Sequence, residues 1–384
     1  MLRLVLFTAN TVAVEAIAQM ADELTCFKIL LTADFRESRD VLKKLRSATP
    51  DVILIDVGSP DQSAEMLGVL QSAELGAPII GFSERTSQRE QAALQEQGIG
   101  HLLQEPFSGP QLEAVIYEAL HQKCPVANPN IFAFMPAKAG GGSSTVALHT
   151  AVALAELHKK VLLIESDRRS GVLSIRLNIS NRRGLAEALE KAGELTLLEW
   201  AQMTVDIAGL HLLPANPARP GPPAAWADYF QLLRFVENLY DFIVVDLAEV
   251  VNQATAEVVR SARNVLIVSG CDAPSLSLAG VRFQELKDCK IAPERASIIL
   301  NRWDKREISL EDAAKAVGQP IFATLPNDWE KLHHAQELHG LAPETSKFGQ
   351  GCRELAERLA GMEQIPDRQE SKFALFRKLT RLAS

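Results

Sequence analysis

Cysteine is sparse in these 384 residues: Cys26, Cys124, Cys271, Cys289 and Cys352 are scattered, and no CxxC pair occurs. That pattern excludes a disulfide framework and a cysteine-ligated zinc site, and predicts reduced cytosolic thiols. Aromatic residues make up only 6% of the chain, too few for an extended base-stacking platform. Basic charge is also short, with 40 Lys+Arg against 48 Asp+Glu. The net charge of −8 and the lack of a basic stripe before the last residues argue against nucleic-acid binding. No window approaches 18 uninterrupted apolar residues, so no membrane-spanning helix is expected. The short apolar start, Leu2–Thr8, is followed by an acidic helical pattern and reads as a first strand, not a signal peptide.

Apolar residues, in contrast, are plentiful. At 47% of the chain they exclude a disordered or collagen-like polymer, and the length suggests two or three domains. Residues 1–122 carry nine Lys+Arg and 17 Asp+Glu, so the whole excess of negative charge lies there. Short β-branched runs alternate with helical patterns over 11–23, 35–48, 62–74, 84–97 and 108–121, which predicts a small parallel sheet covered on both faces. Residues 123–130 contain two prolines and two asparagines and read as a linker. A second α/β unit is expected over 131–362, with strands at Ile131–Met135, Val161–Ile164, Leu210–Leu213, Phe242–Val245, Val265–Val268, Ser297–Leu300 and Ile321–Ala323. The five prolines between Pro214 and Pro223 require a loop. Residues 363–384 form a basic tail.

In the first unit, Val52-Ile-Leu-Ile-Asp56 ends a third strand on an acid. This resembles the phosphoacceptor of response-regulator receivers, and the resemblance implies a flavodoxin-like three-layer sandwich. Asn10 stands where a metal-binding carboxylate is needed, and Glu105 where a lysine compensates the phosphate. Asp56 is therefore read as a degenerate phosphoacceptor position, on a domain used for docking or dimerisation.

In the second unit, a buried strand runs into Pro136-Ala-Lys138-Ala-Gly140-Gly141-Gly142-Ser143-Ser144-Thr145 and then a helix. Glycines between strand and helix turn backbone N–H groups inward around phosphates, where the helix N-terminus adds partial positive charge. Against G-x-x-x-x-G-K-[ST], Gly142 and Ser144 fit, while Ala137 replaces the first glycine and Ser143 the lysine. The remaining lysine, Lys138, opens the loop. The pattern resembles the deviant phosphate loop of the MinD/ParA ATPases, and more closely the TadZ/CpaE-like pilus-assembly branch, which joins a degenerate receiver to a MinD-like domain. That resemblance implies a P-loop NTPase three-layer sandwich with a mostly parallel sheet, binding ATP and Mg²⁺. It gives Lys138 the signature role of reaching a dimer partner's phosphates. Gly140, Gly141, Gly142, Ser143, Ser144 and Thr145 fall on the nucleotide, and Ser144, Glu165 and Asp246 on the metal. Asp167 falls on the attacking water, Asn301 and Arg302 on adenine, and Pro326 in the loop over the base.

A missing loop lysine removes a preorganised donor worth about 10²–10³ in rate. The expectation is an ATP-binding assembly factor of Flp/Tad pili at the cell pole, dimerising around nucleotide with slow hydrolysis. A non-catalytic polar scaffold with a degenerate site is the alternative. The resemblance further implies a homodimer and partnership with the pilus secretion ATPase and other Tad components. The tail segregates Phe373, Leu375, Phe376, Leu379, Leu382 and Ala383 from Arg377, Lys378 and Arg381 on a helical wheel, with Lys372 inside the apolar arc. Two readings are open for it: contact with an anionic inner-membrane surface, or packing on protein. His333, His334 and His339 read as surface residues, since adjacent histidines face different sides of a helix.

Overall fold

The computed structural model describes residues 1–361 except 25, 34–42, 44, 46, 74, 85, 123–127 and 181–182. Most of the expected 35–48 helix, much of the 123–130 linker and the whole 363–384 tail lie outside the described residues.

Strands β1 (Leu2–Phe7), β2 (Phe27–Ala33), β3 (Val52–Asp56), β4 (Ile79–Ser83) and β5 (His101–Gln104) form a parallel sheet in the order β2-β1-β3-β4-β5. This is the flavodoxin-like order. The two-residue period of a strand divides its side chains between two cores. Leu2, Leu4 and Leu6 pack with Ile17 and Ile116 on one face, and Val5 and Phe7 with Met66 and Leu67 on the other. Because both faces are covered, β1 and β3 are almost continuously apolar.

The second sheet has eight strands: β6 (Asn128–Pro136), β7 (Val161–Glu165), β8 (Val205–Ile207), β9 (Leu210–Leu213), β10 (Phe242–Asp246), β11 (Ala262–Ser269), β12 (Ala296–Trp303) and β13 (Ile321–Pro326). Their order is β13-β12-β11-β6-β10-β7-β9-β8, parallel throughout except for the β8–β9 hairpin. The same alternation sends Ile131, Ala133 and Met135 to one core and Phe132 and Phe134 to the other. Two details depart from the sequence reading. The first is β6, which begins three residues early: Asn128 pairs with Ala262, so part of the expected linker belongs to the sheet. The second is β8, which was not expected. It is a three-residue edge strand closed by Ala208 and Gly209, both at positive φ, a two-residue turn whose twist suits a hairpin.

Helix Trp226–Val236 belongs to the second unit by sequence but shares its apolar face with the first. Trp226, Ala227 and Phe230 complete the core around Leu112, Ile116 and Ala119. Polar contacts border this seam. Trp226 Nε1 donates to Glu113 (2.7 Å), and Gln231 Nε2 donates to buried Asp51 (2.7 Å). His121 Nε2 lies 2.9 Å from buried Glu257, and the Arg260 guanidinium sits 4.7 Å over the Tyr117 ring.

Candidate functional site

Strand β6 lies between β10 and β11, which the chain reaches in opposite directions across the sheet. A crevice opens beyond the carboxyl ends of the strands at such a reversal, the usual ligand position of an open α/β sheet. The glycine loop fills it. Ala137 N–H donates to the Val268 carbonyl (2.9 Å) and Gly141 N–H to the Lys138 carbonyl (3.1 Å), after which helix Ser143–Glu156 begins. Gly142 caps that helix at φ +89°, and a Cβ there would stand 2.4 Å from Asn301 Nδ2. Conformation and space both demand glycine at this position.

Asn301, at the end of β12, is buried under the loop. Its Nδ2 donates to the Gly141 carbonyl (2.8 Å) and its Oδ1 accepts from Arg302 N–H (3.0 Å). The side chain expected on adenine is thus occupied in bracing the phosphate loop. Arg302 is exposed at φ +58° and, with Pro326, Asn327, Trp329, His333, Gly142 and Thr145, lines a cleft of about 120 Å³. The half-open Trp329 ring lies 4.6 Å from the His333 ring. Trp329 and His333 were not among the residues expected to line this cleft; Trp329 immediately follows the loop assigned to the base, and His333 lies one helical turn beyond it.

Three acids gather at the other end. Asp246, at the end of β10, is almost inaccessible, and its Oδ1 has no hydrogen-bond partner. Burial pushes its carboxyl up to about 7, with the Ser144 hydroxyl opposing the rise and Glu165 and Asp167 adding to it. The Ser143 hydroxyl is likewise buried and unpartnered. An unsatisfied carboxylate oxygen beside a serine hydroxyl suits a hard cation that takes oxygen ligands, so Ser144 and Asp246 fit Mg²⁺.

Glu165 does not fit it. Its Oε1 accepts from Leu173 N–H (2.7 Å) and its Oε2 from Ala215 N–H (2.9 Å), with burial raising the carboxyl to about 7. The residue expected on the metal instead ties two loops together. A Cβ on Gly171 would meet the Glu165 carboxyl at 2.8 Å, so this glycine is what lets the loop close over it. Asp167 is partly engaged too: Oδ1 accepts from Arg169 N–H (3.1 Å) and Ser170 N–H (2.8 Å).

Lys138 is half exposed and reaches across the mouth to Asp272 (3.9 Å), which itself caps helix Ala273–Asp288. Thr145, in the first turn of the loop helix, accepts from Arg176 Nη1 (2.8 Å), a contact nothing in the sequence announced. In the first unit, Asp56 accepts from the Thr8 hydroxyl (2.7 Å) and from Gly58 N–H (2.9 Å). The Glu105 carboxyl is raised by burial and by Asp56 and Glu84, a negative neighbourhood for an incoming phosphoryl group.

No family model matches the chain. Among curated proteins it is similar to the septum site-determining protein MinD of Thermotoga maritima, 23% identical over 248 residues that cover 62% of this chain and 90% of that protein. Among solved structures it resembles a ParA family ATPase from Chlorobium tepidum (TM-score 0.54, 23% identity, 60% of this chain, 99% of that one). MinD of Pyrococcus horikoshii complexed with Mg-ADP is also similar (TM-score 0.51, 23% identity, 62% and 99%). The curated relatives support the MinD/ParA superfamily of P-loop ATPases, and the solved structures share the fold. The α/β fold with mostly parallel sheets matches those neighbours. In this MinD/ParA-like unit the loop, Ser144 and Asp246 converge on one crevice, Asn301 braces it, and Glu165 serves the surrounding loops.

Proposed function

We propose that the chain is an ATP- and Mg²⁺-binding assembly factor of the TadZ/CpaE kind, dimerising around nucleotide, hydrolysing it slowly, and acting at the cell pole on a Flp/Tad-type pilus. The observation that carries the nucleotide reading is the glycine loop wrapped at the end of β6 beside the unpartnered Asp246 oxygen. Mg-ADP in the Pyrococcus MinD structure is consistent with these ligands. Ser144 and Asp246 would hold the metal, which when bound neutralises charge on the β- and γ-phosphates. The N–H groups of Gly140 and of Gly142–Thr145 would cradle those phosphates, and Asp167 would orient water through the oxygen its loop leaves unused. Ser143 offers a hydroxyl but no charge, which supports slow turnover. The degenerate phosphoacceptor Asp56 supports a first domain used for docking. Among the described residues no helix is long and apolar enough to cross a membrane. The homodimer, the pilus secretion ATPase and other Tad components as partners, and the tail's inner-membrane contact belong to this same proposal.

The structure gives a second reading some footing. Glu165, Asn301 and Lys138 all have local partners, as side chains of a non-catalytic scaffold would. The two readings separate in calorimetric titration with Mg-ATP and Mg-GTP, combined with light scattering. ATP-selective binding and an ATP-dependent dimer that Lys138→Ala abolishes are expected. No heat at millimolar nucleotide, or a dimer indifferent to nucleotide and to Lys138→Ala, would favour the scaffold.

A further inference from the structure

The cation absent from the glycine loop has a counterpart behind it. Arg176 ends the short helix Leu173–Arg176, just past the loop that Gly171 closes. One of its nitrogens, Nη1, donates to Thr145 Oγ1 at 2.8 Å. Its other two, Nε and Nη2, are buried and have no partner. Among the described residues no carboxylate forms an ion pair with this guanidinium, and its burial is uncompensated. A neighbouring imidazole on the loop helix gives no relief. His149, on the same helix as Thr145, donates from Nδ1 to the Thr145 carbonyl (2.8 Å) and accepts at Nε2 from Ala342 N–H (3.0 Å). Burial, with Arg176 adding to it, holds His149 at about 4, so it stays neutral.

A buried charge without a counterion is costly and persists where something else balances it. Here the unbalanced charge lies against the first turn of a phosphate-loop helix that lacks its own lysine. The missing partner has the chemistry of a phosphate.

We propose that Arg176 is the positioning cation of this site, acting on a bound nucleoside di- or triphosphate through the hydroxyl of Thr145. The proposal rests on the nucleotide reading above and adds to it the origin of the positive field. Accepting from Nη1 leaves Thr145 with its single hydroxyl hydrogen free to donate to a phosphate oxygen. The charge behind the hydroxyl strengthens that donor, as in any charge-assisted chain. The guanidinium thereby replaces part of what Ser143 cannot supply, from behind the loop instead of within it.

The test uses the full chain with Arg176→Met and Arg176→Lys. Thermal unfolding is measured without ligand, and Mg-ATP and adenosine are titrated calorimetrically. Removing an uncompensated charge while keeping the apolar stem should raise the melting temperature of the ligand-free Met variant. Mg-ATP affinity should fall roughly tenfold or more while adenosine binding is unchanged, and Lys should restore most of the ATP affinity. A Met variant that melts lower and binds Mg-ATP as wild type does would make Arg176 a structural residue only and overturn the proposal. A Lys variant as weak as Met would also overturn it, because charge would not be the cause. If wild type itself takes up no Mg-ATP, the nucleotide reading falls, and this one with it.

Discussion

The buried carboxyl of Asp246 makes a prediction that needs no ligand. Its native-state value is about 7, against an ordinary 3.8. Between those values the folded chain holds a proton that the unfolded chain has released. Stability must therefore fall as pH rises from about 4 toward 7, and level off above. The gap corresponds to about 4 kcal/mol as an upper bound. Asp246→Asn keeps the shape and removes the charge, so without nucleotide it should stabilise the protein by about 2–4 kcal/mol at pH 8. At about 2–4 °C per kcal/mol for a domain of this size, the melting temperature should rise by roughly 5–15 °C. At pH 5, where Asp246 is largely protonated in the native state, most of the difference should disappear. Scanning calorimetry of both proteins at pH 5, 6.5 and 8 measures this directly. The same variant should bind Mg²⁺-nucleotide more weakly, since a neutral amide is a poor substitute for a carboxylate near the cation. A variant less stable than wild type at pH 8, or a difference that does not change with pH, would refute the reasoning that the charge is buried unpaired.

Two further outcomes follow from the first domain and its seam. Trp226→Ala empties a buried site between the two cores and strands Glu113 without its donor; a loss of about 3–5 kcal/mol is expected in urea unfolding, and a loss under 1 kcal/mol would mean the seam is not a core. Acetyl phosphate with Mg²⁺ should leave the mass of the protein unchanged, because Asp56 already accepts from Thr8 and Gly58 and faces Glu105; a stoichiometric phosphoryl adduct that Asp56→Ala removes would contradict that.

The strands of both sheets were legible because two-sided burial writes itself as apolar runs, as in Val244-Val245 and Ile298-Ile299-Leu300. Edge strand β8 was not, since Val-Asp-Ile is too short for alternation to register and its turn carries Ala-Gly in place of Asn-Gly. The phosphate loop could be read because its glycines answer to local backbone geometry. The partners of its side chains could not. Glu165 is claimed by Leu173 and by Ala215, 50 residues apart from it in the latter case, and Asn301 by Gly141 across 160 residues. Local spacing places a carboxylate or an amide at a strand end; only the packed fold decides whether it faces the ligand or holds a neighbouring loop. The seam was hidden for a related reason: Trp226–Val236 is amphipathic by sequence, but nothing in its pattern says which core its apolar face completes.

That seam has a mechanical meaning. Helix Gln253–Ser261 follows the strand that ends in Asp246 by way of the short segment 247–252, and it carries Glu257 and Arg260 into contact with His121 and Tyr117 of the first domain. The first domain is therefore a lever bolted to the helix that answers for the metal end of the crevice. Any rotation of that helix must swing the first domain with it or break a hydrogen bond to a buried carboxyl and a cation–π contact. Conversely, a load applied to the first domain by whatever holds it arrives, through these contacts and six residues of chain, at the carboxyl of Asp246.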